Sequence, residues 1–163
     1  MFSDAAHANM SDGVSSVGGH IIYLTGQNKK CAVIAWSCSK IKRVVKSTLA
    51  AEMLSLSEAL EHAIYLRQIL LELTSKEMVN ISIEAYVDNK SVEDAVHSTK
   101  SVDDKRLRID VGSIKEMLNK EEIKKVQWIP GCQMLANALT KRGASSFDLL
   151  KSIQDGQLVN NFL

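Results

Sequence analysis

Residues 47–73 read STLAAEMLSLSEALEHAIYLRQILLEL, and this stretch decides the fold. It contains no glycine or proline, and most of its residues have a high propensity for helix. Apolar residues recur in it at steps of three and four, as on the core-facing side of a helix: Leu49, Met53, Leu56, Leu60 and Ile64. Ser47 is suited to cap the first turn. The stretch therefore predicts a long amphipathic helix with one buried face.

The flanking segments alternate between strand and helix patterns. Before the long helix, residues 20–24 and 31–36 predict a hairpin around the turn residues 26–29. After it, the predicted strands are 81–87 and 125–129, and the predicted helices are 91–97, 105–119, 135–141 and 146–153. This order indicates an α/β fold in which helices flank a mixed central sheet. A first strand running up to Asp4 would be largely missing, so we expect the chain to be a fragment of a longer one.

Composition limits the class of protein. The 163 residues, 45% hydrophobic and 24% charged, are typical of one soluble globular domain. We expect residues 1–142 to form it and residues 143–163 to add a C-terminal helix and tail. No apolar run approaches the roughly 20 residues that cross a bilayer, and residues 1–10 lack the pattern of a secretory signal, so we expect an intracellular protein without membrane contact. The chain has three cysteines, Cys31, Cys38 and Cys132, and this odd number argues against a disulfide framework or a zinc site.

Three carboxylates stand where a sheet could bring them together. Glu52 lies on the face of the long helix that carries Leu56 and Ala59, Asp88 ends an apolar strand, and Asp4 follows what could be the first strand. A carboxylate on an inward face is costly unless it is paired, protonated or bound to a metal. Magnesium prefers oxygen ligands, so the three side chains could hold it. Alternatives stay open: Asp4 and Asp88 could cap the segments after them, and Glu52 could lie at the edge of the apolar stripe.

A series of short motifs follows one another along the chain: FSDA at 2–5, IAWSCSK at 34–40, STLAAEMLSLSEA at 47–59, DNKS at 88–91 and LANALTK at 135–141. In this order they resemble motifs of the ribonuclease H (RNase H) domain that follows reverse transcriptase in copia-type (Ty1/copia-like) retrotransposon polyproteins. Leu49 and Ala50 stand where that family often has threonine and an acid. The resemblance implies an RNase H-like fold over residues 2–141 and a reverse transcriptase domain upstream in a parent polyprotein.

The resemblance also implies a reaction. Domains of this family cut the RNA strand of RNA–DNA hybrids with two Mg²⁺ ions, which Mn²⁺ can replace, and two such ions activate the attacking water and stabilise the leaving oxygen. Carried over to this chain, Asp4 would be shared between the ions, and Glu52 and Asp88 would complete one site. Asn137 would stand at the fourth ligand position. The expected location is a cytoplasmic particle or the nucleus.

Position 137 departs from the family pattern, which has aspartate where this chain has asparagine. An amide keeps a neutral oxygen acceptor but loses the charge, so we expect one ion to bind less tightly. A natural substitution would indicate a weakened or decayed enzyme, whereas an engineered one would indicate a protein meant to hold substrate uncleaved. Asn137 could also be a polar helix residue without a role. No histidine follows Lys105, so the histidine that assists turnover in some RNase H enzymes has no counterpart.

Candidate substrate contacts surround the predicted metal ligands. A hybrid is recognised by its shape, its phosphates and its 2′-hydroxyl groups. Ser47, Thr48 and Asn89 flank the metal ligands in sequence and are candidates to donate to the backbone of the hybrid. A basic group after the third strand is a candidate phosphate contact: Lys40, Lys42 and Arg43. With a net charge of only +1, charge alone favours a solvated surface for this group.

Two functions from different classes follow from these patterns. The first is a magnesium-dependent endonuclease that cleaves the RNA strand of RNA–DNA hybrids during retrotransposon reverse transcription, weakened or inactive because of Asn137. The second is a non-catalytic nucleic-acid-binding domain, or a retroelement-derived domain co-opted by a host. Binding of a hybrid without cleavage at any Mg²⁺ or Mn²⁺ concentration would favour the second. An integrase of the same fold lacks support, because the terminal LANALTK motif is RNase H-like.

Overall fold

The computed structural model describes residues 1–26, 28, 30–74, 80–99 and 102–158. Its strands are β1 (Phe2–Ala6), β2 (Val17–Thr25), β3 (Cys31–Lys40), β4 (Glu84–Val87) and β5 (Lys125–Trp128). Its helices are α1 (Thr48–Leu73), α2 (Lys90–His97), α3 (Lys105–Asn119), α4 (Asn137–Thr140) and α5 (Phe147–Asp155). A short 3-10 helix spans Gly131–Gln133. The predicted α/β fold, a mixed sheet flanked by helices, is confirmed.

The five strands form one sheet in the order β3-β2-β1-β4-β5. β2 pairs antiparallel with both β1 and β3, whereas β1 pairs parallel with β4 and β4 pairs parallel with β5. The parallel pairs require crossovers, which α1 supplies before β4 and the α2–α3 pair supplies before β5. β1 therefore lies in the middle of the sheet, with its side chains covered on both faces.

The long helix α1 packs on one face of the sheet, as its apolar stripe predicts. Met53, Leu56 and Leu60 are fully buried in the main core, and Leu49 and Ile64 are partly buried against it. The predicted N-cap is also confirmed, because the Ser47 hydroxyl oxygen accepts a hydrogen bond of 3.1 Å from the Ala50 amide. α2 and α3 add to this core through Val92, Val96, Leu107, Val111 and Ile114.

A second, smaller core lies on the opposite face of the sheet. Its strand residues are Phe2, Ile21, Tyr23 and Tyr86, and its covering residues include Leu135, Leu149 and Leu158. Leu149 of α5 is buried in it, but Phe147 and Leu150 of the same helix are exposed. The C-terminal helix thus packs on the sheet through one face. The rest of the predicted tail, residues 159–163, lies outside the described residues.

Several element bounds differ from the predicted ones because tertiary contacts set them. β3 extends to Lys40 rather than ending at residue 36, since β2 pairs with it along its whole length. β4 begins at Glu84 rather than at 81, because its partner strand begins at Lys125. α4 covers only 137–140 of the predicted 135–141. Of the predicted turn at 26–29, residues 27 and 29 lie outside the described residues. Within the described part of the chain, no helix is both long and apolar enough to cross a membrane.

Candidate metal centre

The carboxylates of Asp4, Glu52 and Asp88 meet at one edge of the sheet. One oxygen from each lies within 4.8 Å of the other two. Asp4 lies within β1, Asp88 follows the last residue of β4, and Glu52 lies in the second turn of α1. The parallel register places Phe2 opposite Tyr86. Asp4 and Asp88 each follow that pair by two residues, so the sheet itself brings them side by side.

The burial of these side chains decides between the interpretations that the sequence left open. Asp4 is 0% exposed and Glu52 is 3% exposed, so Glu52 does not lie at the edge of the buried stripe. Asp4 is inside a strand and caps no helix. The cap of α2 is Asn89, whose side-chain oxygen accepts from the Ser91 amide at 3.0 Å, and not Asp88. The capping interpretations are therefore wrong, and another explanation is needed for carboxylates in this position.

Burial and mutual repulsion disfavour the charged forms of these groups. Burial, followed by the charges of Asp4 and Asp88, raises the pKa of Glu52 to about 9. Burial also raises the pKa of Asp4, against the opposing effect of hydrogen bonds from Thr140 and Lys141. Within the described residues, two buried oxygens of the cluster have no hydrogen-bond partner, Oε2 of Glu52 and Oδ1 of Asp4. Buried polar atoms are rarely left without a partner, and a hard divalent cation would provide one. The cluster thus fits Mg²⁺ in both charge and ligand type.

Thr140 and Lys141 complete the surroundings of the cluster. The Thr140 hydroxyl donates to Oδ2 of Asp4. Nζ of Lys141 lies 3.0 Å from Oδ1 of Asp4 and 3.2 Å from Oδ2 of Asp88. We predicted no separate role for either residue from the sequence, where they only formed part of the terminal motif. Asn137 and Lys141 are four residues apart, and this spacing of one helical turn indicates that their side chains lie on the same face of a helix.

Asn137, the predicted fourth ligand, lies next to the cluster. Its Oδ1 accepts a hydrogen bond of 2.5 Å from Lys141, and its Nδ2 donates to the Gly131 carbonyl at 2.8 Å. A β-carbon built on Gly131 would lie 3.4 Å from Oδ2 of Asp88 and 4.0 Å from Nδ2 of Asn137. Gly131 therefore packs closely against both side chains. The structure brings all four predicted metal ligands to one place, and their role in metal binding and catalysis stays a prediction.

The predicted substrate contacts lie at two helix starts and after β3. Ser47 and Asn89 cap α1 and α2, and Thr48 is the exposed first residue of α1. The cap bonds use the oxygens of Ser47 and Asn89 as acceptors, and in the described part of the chain no acceptor takes the Ser47 hydroxyl hydrogen or the Asn89 amide hydrogens. These positions are compatible with contacts to a nucleic-acid backbone. No contact of this kind is tested, so their binding role stays a prediction.

The basic group begins at the edge of the sheet that carries Asp4. Lys40 pairs with Val17, which in turn pairs with Ala6 at the end of β1. Lys40 and Arg43 form exposed ion pairs, with Asp12 at 3.6 Å and with Asp110 at 2.6 Å. Lys42 is exposed on the same segment. Exposed pairs of this kind contribute little to stability and exchange readily, so both side chains are accessible to phosphate.

Comparisons with known proteins agree with this architecture. No protein-family model and no curated protein sequence matches the chain. The solved N-terminal RNase H domain of Rv2228c from Mycobacterium tuberculosis is 15% identical, with a TM-score of 0.56 over 95% of this chain and 92% of that one. RNase H1 from the halophilic archaeon Halobacterium salinarum NRC-1 is 16% identical, with a TM-score of 0.55 over 94% of each chain.

A third similar structure contains a nucleic acid. LC11-RNase H1, from compost, was solved in complex with an RNA/DNA hybrid. It is 16% identical and has a TM-score of 0.57, covering 85% of this chain and 90% of that one. At such low identities these likenesses establish the fold. The chain therefore has the RNase H fold, as its motifs predicted.

Proposed function

We propose that this chain is a ribonuclease H, an endonuclease that cleaves the RNA strand of RNA–DNA hybrids with the help of Mg²⁺. The observation that carries the proposal is the meeting of Asp4, Glu52 and Asp88 around a buried carboxylate oxygen that lacks a partner. Burying several carboxylates with fewer basic side chains to pair with them costs free energy. A bound divalent cation would remove that cost. The RNase H fold supports the same assignment.

The residues of the chain would divide the work of the reaction. Asp4, Glu52 and Asp88 would hold Mg²⁺, which when bound activates water and stabilises the leaving oxygen of an in-line displacement. Thr140 fixes the orientation of Asp4 through its hydroxyl. Asn137 would offer a neutral oxygen at the position of the second ion. That ion would bind more weakly than the first, so we propose a reduced rate rather than a different reaction.

We further propose that the domain acts in reverse transcription of a copia-type retrotransposon, beside an upstream reverse transcriptase domain and inside the cell. The series of motifs from residue 2 to residue 141 supports this origin. Its partner would be an RNA–DNA hybrid, as found in the complex of LC11-RNase H1. Lys40, Lys42 and Arg43 would contact phosphates, and Ser47, Thr48 and Asn89 would contact the backbone near the cut.

A second function is favoured by one specific observation. Asn137 removes one negative charge from the predicted ligand set, and Lys141 brings a positive charge into contact with two of the remaining ligands. Both changes weaken the attraction for cations. A domain that binds hybrids without cutting them, or a retroelement-derived domain co-opted by a host, would tolerate this arrangement.

Cleavage of an end-labelled RNA–DNA hybrid across a Mg²⁺ titration tests the proposed function. We expect Mg²⁺-dependent cuts in the RNA strand by the wild-type chain, and none by Asp88→Asn. Asp94→Asn is the matched control, because Asp94 is exposed on α2 and, among the described residues, forms an ion pair only with Lys90. Binding of the hybrid without cleavage, with Mg²⁺ or Mn²⁺ at any concentration, would favour the second function.

A further inference from the structure

The ammonium group of Lys141 contacts three of the four side chains that the motifs predict as metal ligands. Its Nζ contacts Oδ1 of Asp4 at 3.0 Å, Oδ2 of Asp88 at 3.2 Å and Oδ1 of Asn137 at 2.5 Å. All three residues belong to the ligand set that the motifs predict for the metal ions. One side chain of the protein thus contacts residues that would also hold a metal ion.

Charge balance explains why the ammonium is held there. Among the described residues, Lys141 supplies the one ammonium or guanidinium group that forms an ion pair with Asp4 or Asp88. Asp4 is fully buried, and a buried charge without a partner is strongly destabilising. In the metal-free protein, Lys141 therefore neutralises part of the negative charge that the fold brings together.

The match between Lys141 and the cluster is incomplete. Lys141 forms ion pairs with Asp4 and Asp88, but among the described residues neither Oδ1 of Asp4 nor Oε2 of Glu52 has a hydrogen-bond partner. A single positive charge with three donors cannot satisfy all the oxygens of three carboxylates. A divalent cation has twice the charge and takes about six oxygen ligands, so it would satisfy the cluster better than the ammonium does.

Both cations cannot occupy the cluster at close range, because like charges a few ångströms apart repel strongly in a buried site. The Lys141 ammonium group can move from the cluster into solvent, since its side chain is 41% exposed and its four-carbon stem is flexible. The backbones of Asp4 and Glu52 are held in β1 and α1, and Asp88 directly follows β4. Displacement of the lysine, and not movement of the acids, is the change that the structure permits at low cost.

We infer that Lys141 is an internal counter-ion of the metal centre, and that a divalent cation enters the cluster by displacing its ammonium group. The inference rests on the proposed metal-dependent function and adds a control of metal occupancy by the chain itself. Lys141 stabilises the metal-free protein and weakens metal binding, so the site fills only when the concentration of the divalent cation is high enough to compete.

Binding of Mn²⁺, measured by calorimetry on the wild-type chain and on Lys141→Met, tests this inference. We expect the methionine variant to bind Mn²⁺ about tenfold more tightly or better, because the competing charge is gone. In EDTA the same variant should unfold at a lower temperature than wild type, and added Mn²⁺ should raise its unfolding temperature by more. Lys120→Met is the control, since Lys120 forms an exposed pair with Glu116 at 2.6 Å, one helical turn away, on α3.

Lys141→Gln gives the same comparison if the methionine variant does not fold without metal. Equal or weaker Mn²⁺ affinity in the Lys141 variants would overturn the inference. In that case, binding of Mn²⁺ by wild type but not by Asp88→Asn would still support the proposed metal centre. Tight Mn²⁺ binding by Lys141→Met, with no hybrid cleavage by this variant or by wild type, would instead support the inference and overturn the nuclease function. Absence of Mn²⁺ binding by every variant would overturn both.

Discussion

Phe2 lies opposite Tyr86 in the parallel pairing of β1 with β4, and this register sets the geometry of the candidate site. It carries Asp4 and Asp88 to the same edge of the sheet, where Glu52 reaches them from α1. A shift of the register by one residue would turn one of the two aspartates to the opposite face of the sheet. The aromatic pair, with ring centroids 5.3 Å apart, helps to hold this register through buried stacking.

Asn137→Asp should strengthen the metal centre. The new carboxylate would add a negative charge beside Asp88, and we expect Mg²⁺ affinity to rise by about tenfold, which corresponds to about 1.4 kcal/mol. Cleavage of a labelled hybrid should become faster at limiting Mg²⁺. Asn119→Asp adds the same charge at the exposed end of α3, at a residue outside the acidic cluster, and should change neither quantity. An unchanged Mg²⁺ dependence in Asn137→Asp would remove position 137 from the ligand set.

Metal binding should depend on pH through Glu52. Burial and the neighbouring acids raise the pKa of Glu52 to about 9, so near neutral pH it holds a proton that a metal ion must displace. Mn²⁺ affinity should therefore increase as the pH rises toward about 9, with release of a proton on binding. Calorimetry in two buffers of different ionisation enthalpy measures that proton. Glu52→Gln should bind weakly and release none.

The same pKa shift predicts how the stability of the metal-free protein varies with pH. Glu52 is an acid whose pKa is higher in the folded state than its ordinary value of 4.5, so the folded state binds more protons between the two values. The free energy of unfolding in EDTA should thus fall as the pH rises from about 4.5 to about 9. Chemical unfolding at several pH values should show that the free energy of unfolding changes less with pH in Glu52→Gln than in wild type. An equal pH dependence of the unfolding free energy in both proteins would contradict the raised pKa of Glu52.

Thr140→Val should weaken both the fold and the metal centre. The substitution keeps the shape of the side chain but removes the hydroxyl that donates to buried Asp4. Loss of such a donor costs about 1–3 kcal/mol of unfolding free energy, and Mn²⁺ affinity should fall because Asp4 is no longer held. Thr74→Val is the control, since the Thr74 hydroxyl donates to the Leu70 carbonyl at the exposed end of α1. Unchanged Mn²⁺ affinity in Thr140→Val would show that Asp4 is positioned without it.

Gly19→Ala should disturb the same region by steric overlap. A β-carbon at Gly19 would lie 2.6 Å from Cγ2 of Thr140 and 3.3 Å from Cβ of Leu139. Overpacking of this kind costs about 1–3 kcal/mol. Gly112→Ala is the matched control, because a β-carbon there meets nothing within 4 Å and alanine favours α3 by about 0.5–1 kcal/mol. Thermal unfolding should therefore move in opposite directions for the two variants, and the same direction would contradict this packing.

The local parts of the fold could be predicted from the sequence. Helical periodicity and the Ser47 cap define α1, and the structure has α3 over the predicted residues 105–119. These features depend on neighbours three or four residues apart. The end of β3 at Lys40 could not be predicted in this way, because pairing with β2 decides it. The short α4 follows the 3-10 turn after Pro130, which the periodicity of 135–141 does not reveal.

The meeting of the three carboxylates could be predicted from the sequence, but the position of the positive charge that pairs with them could not. Motif order identified Asp4, Glu52 and Asp88, and the structure brings them together. The contacts of Lys141 with Asp4 and Asp88 depend on how α4 packs against the sheet. Sequence spacing carries no information on such long-range contacts. The roles of the phosphate and backbone contacts stay predictions.

Direct measurement of Mn²⁺ binding to the wild-type chain and to Glu52→Gln tests the central claim, that the buried carboxylates of Asp4 and Glu52 form a divalent-cation site with the partly buried Asp88. The account predicts saturable binding by wild type and a loss of at least about tenfold in affinity for Glu52→Gln, whose amide is a neutral and poorer ligand. Equal Mn²⁺ affinity in the two proteins, or no saturable binding by wild type, would contradict it.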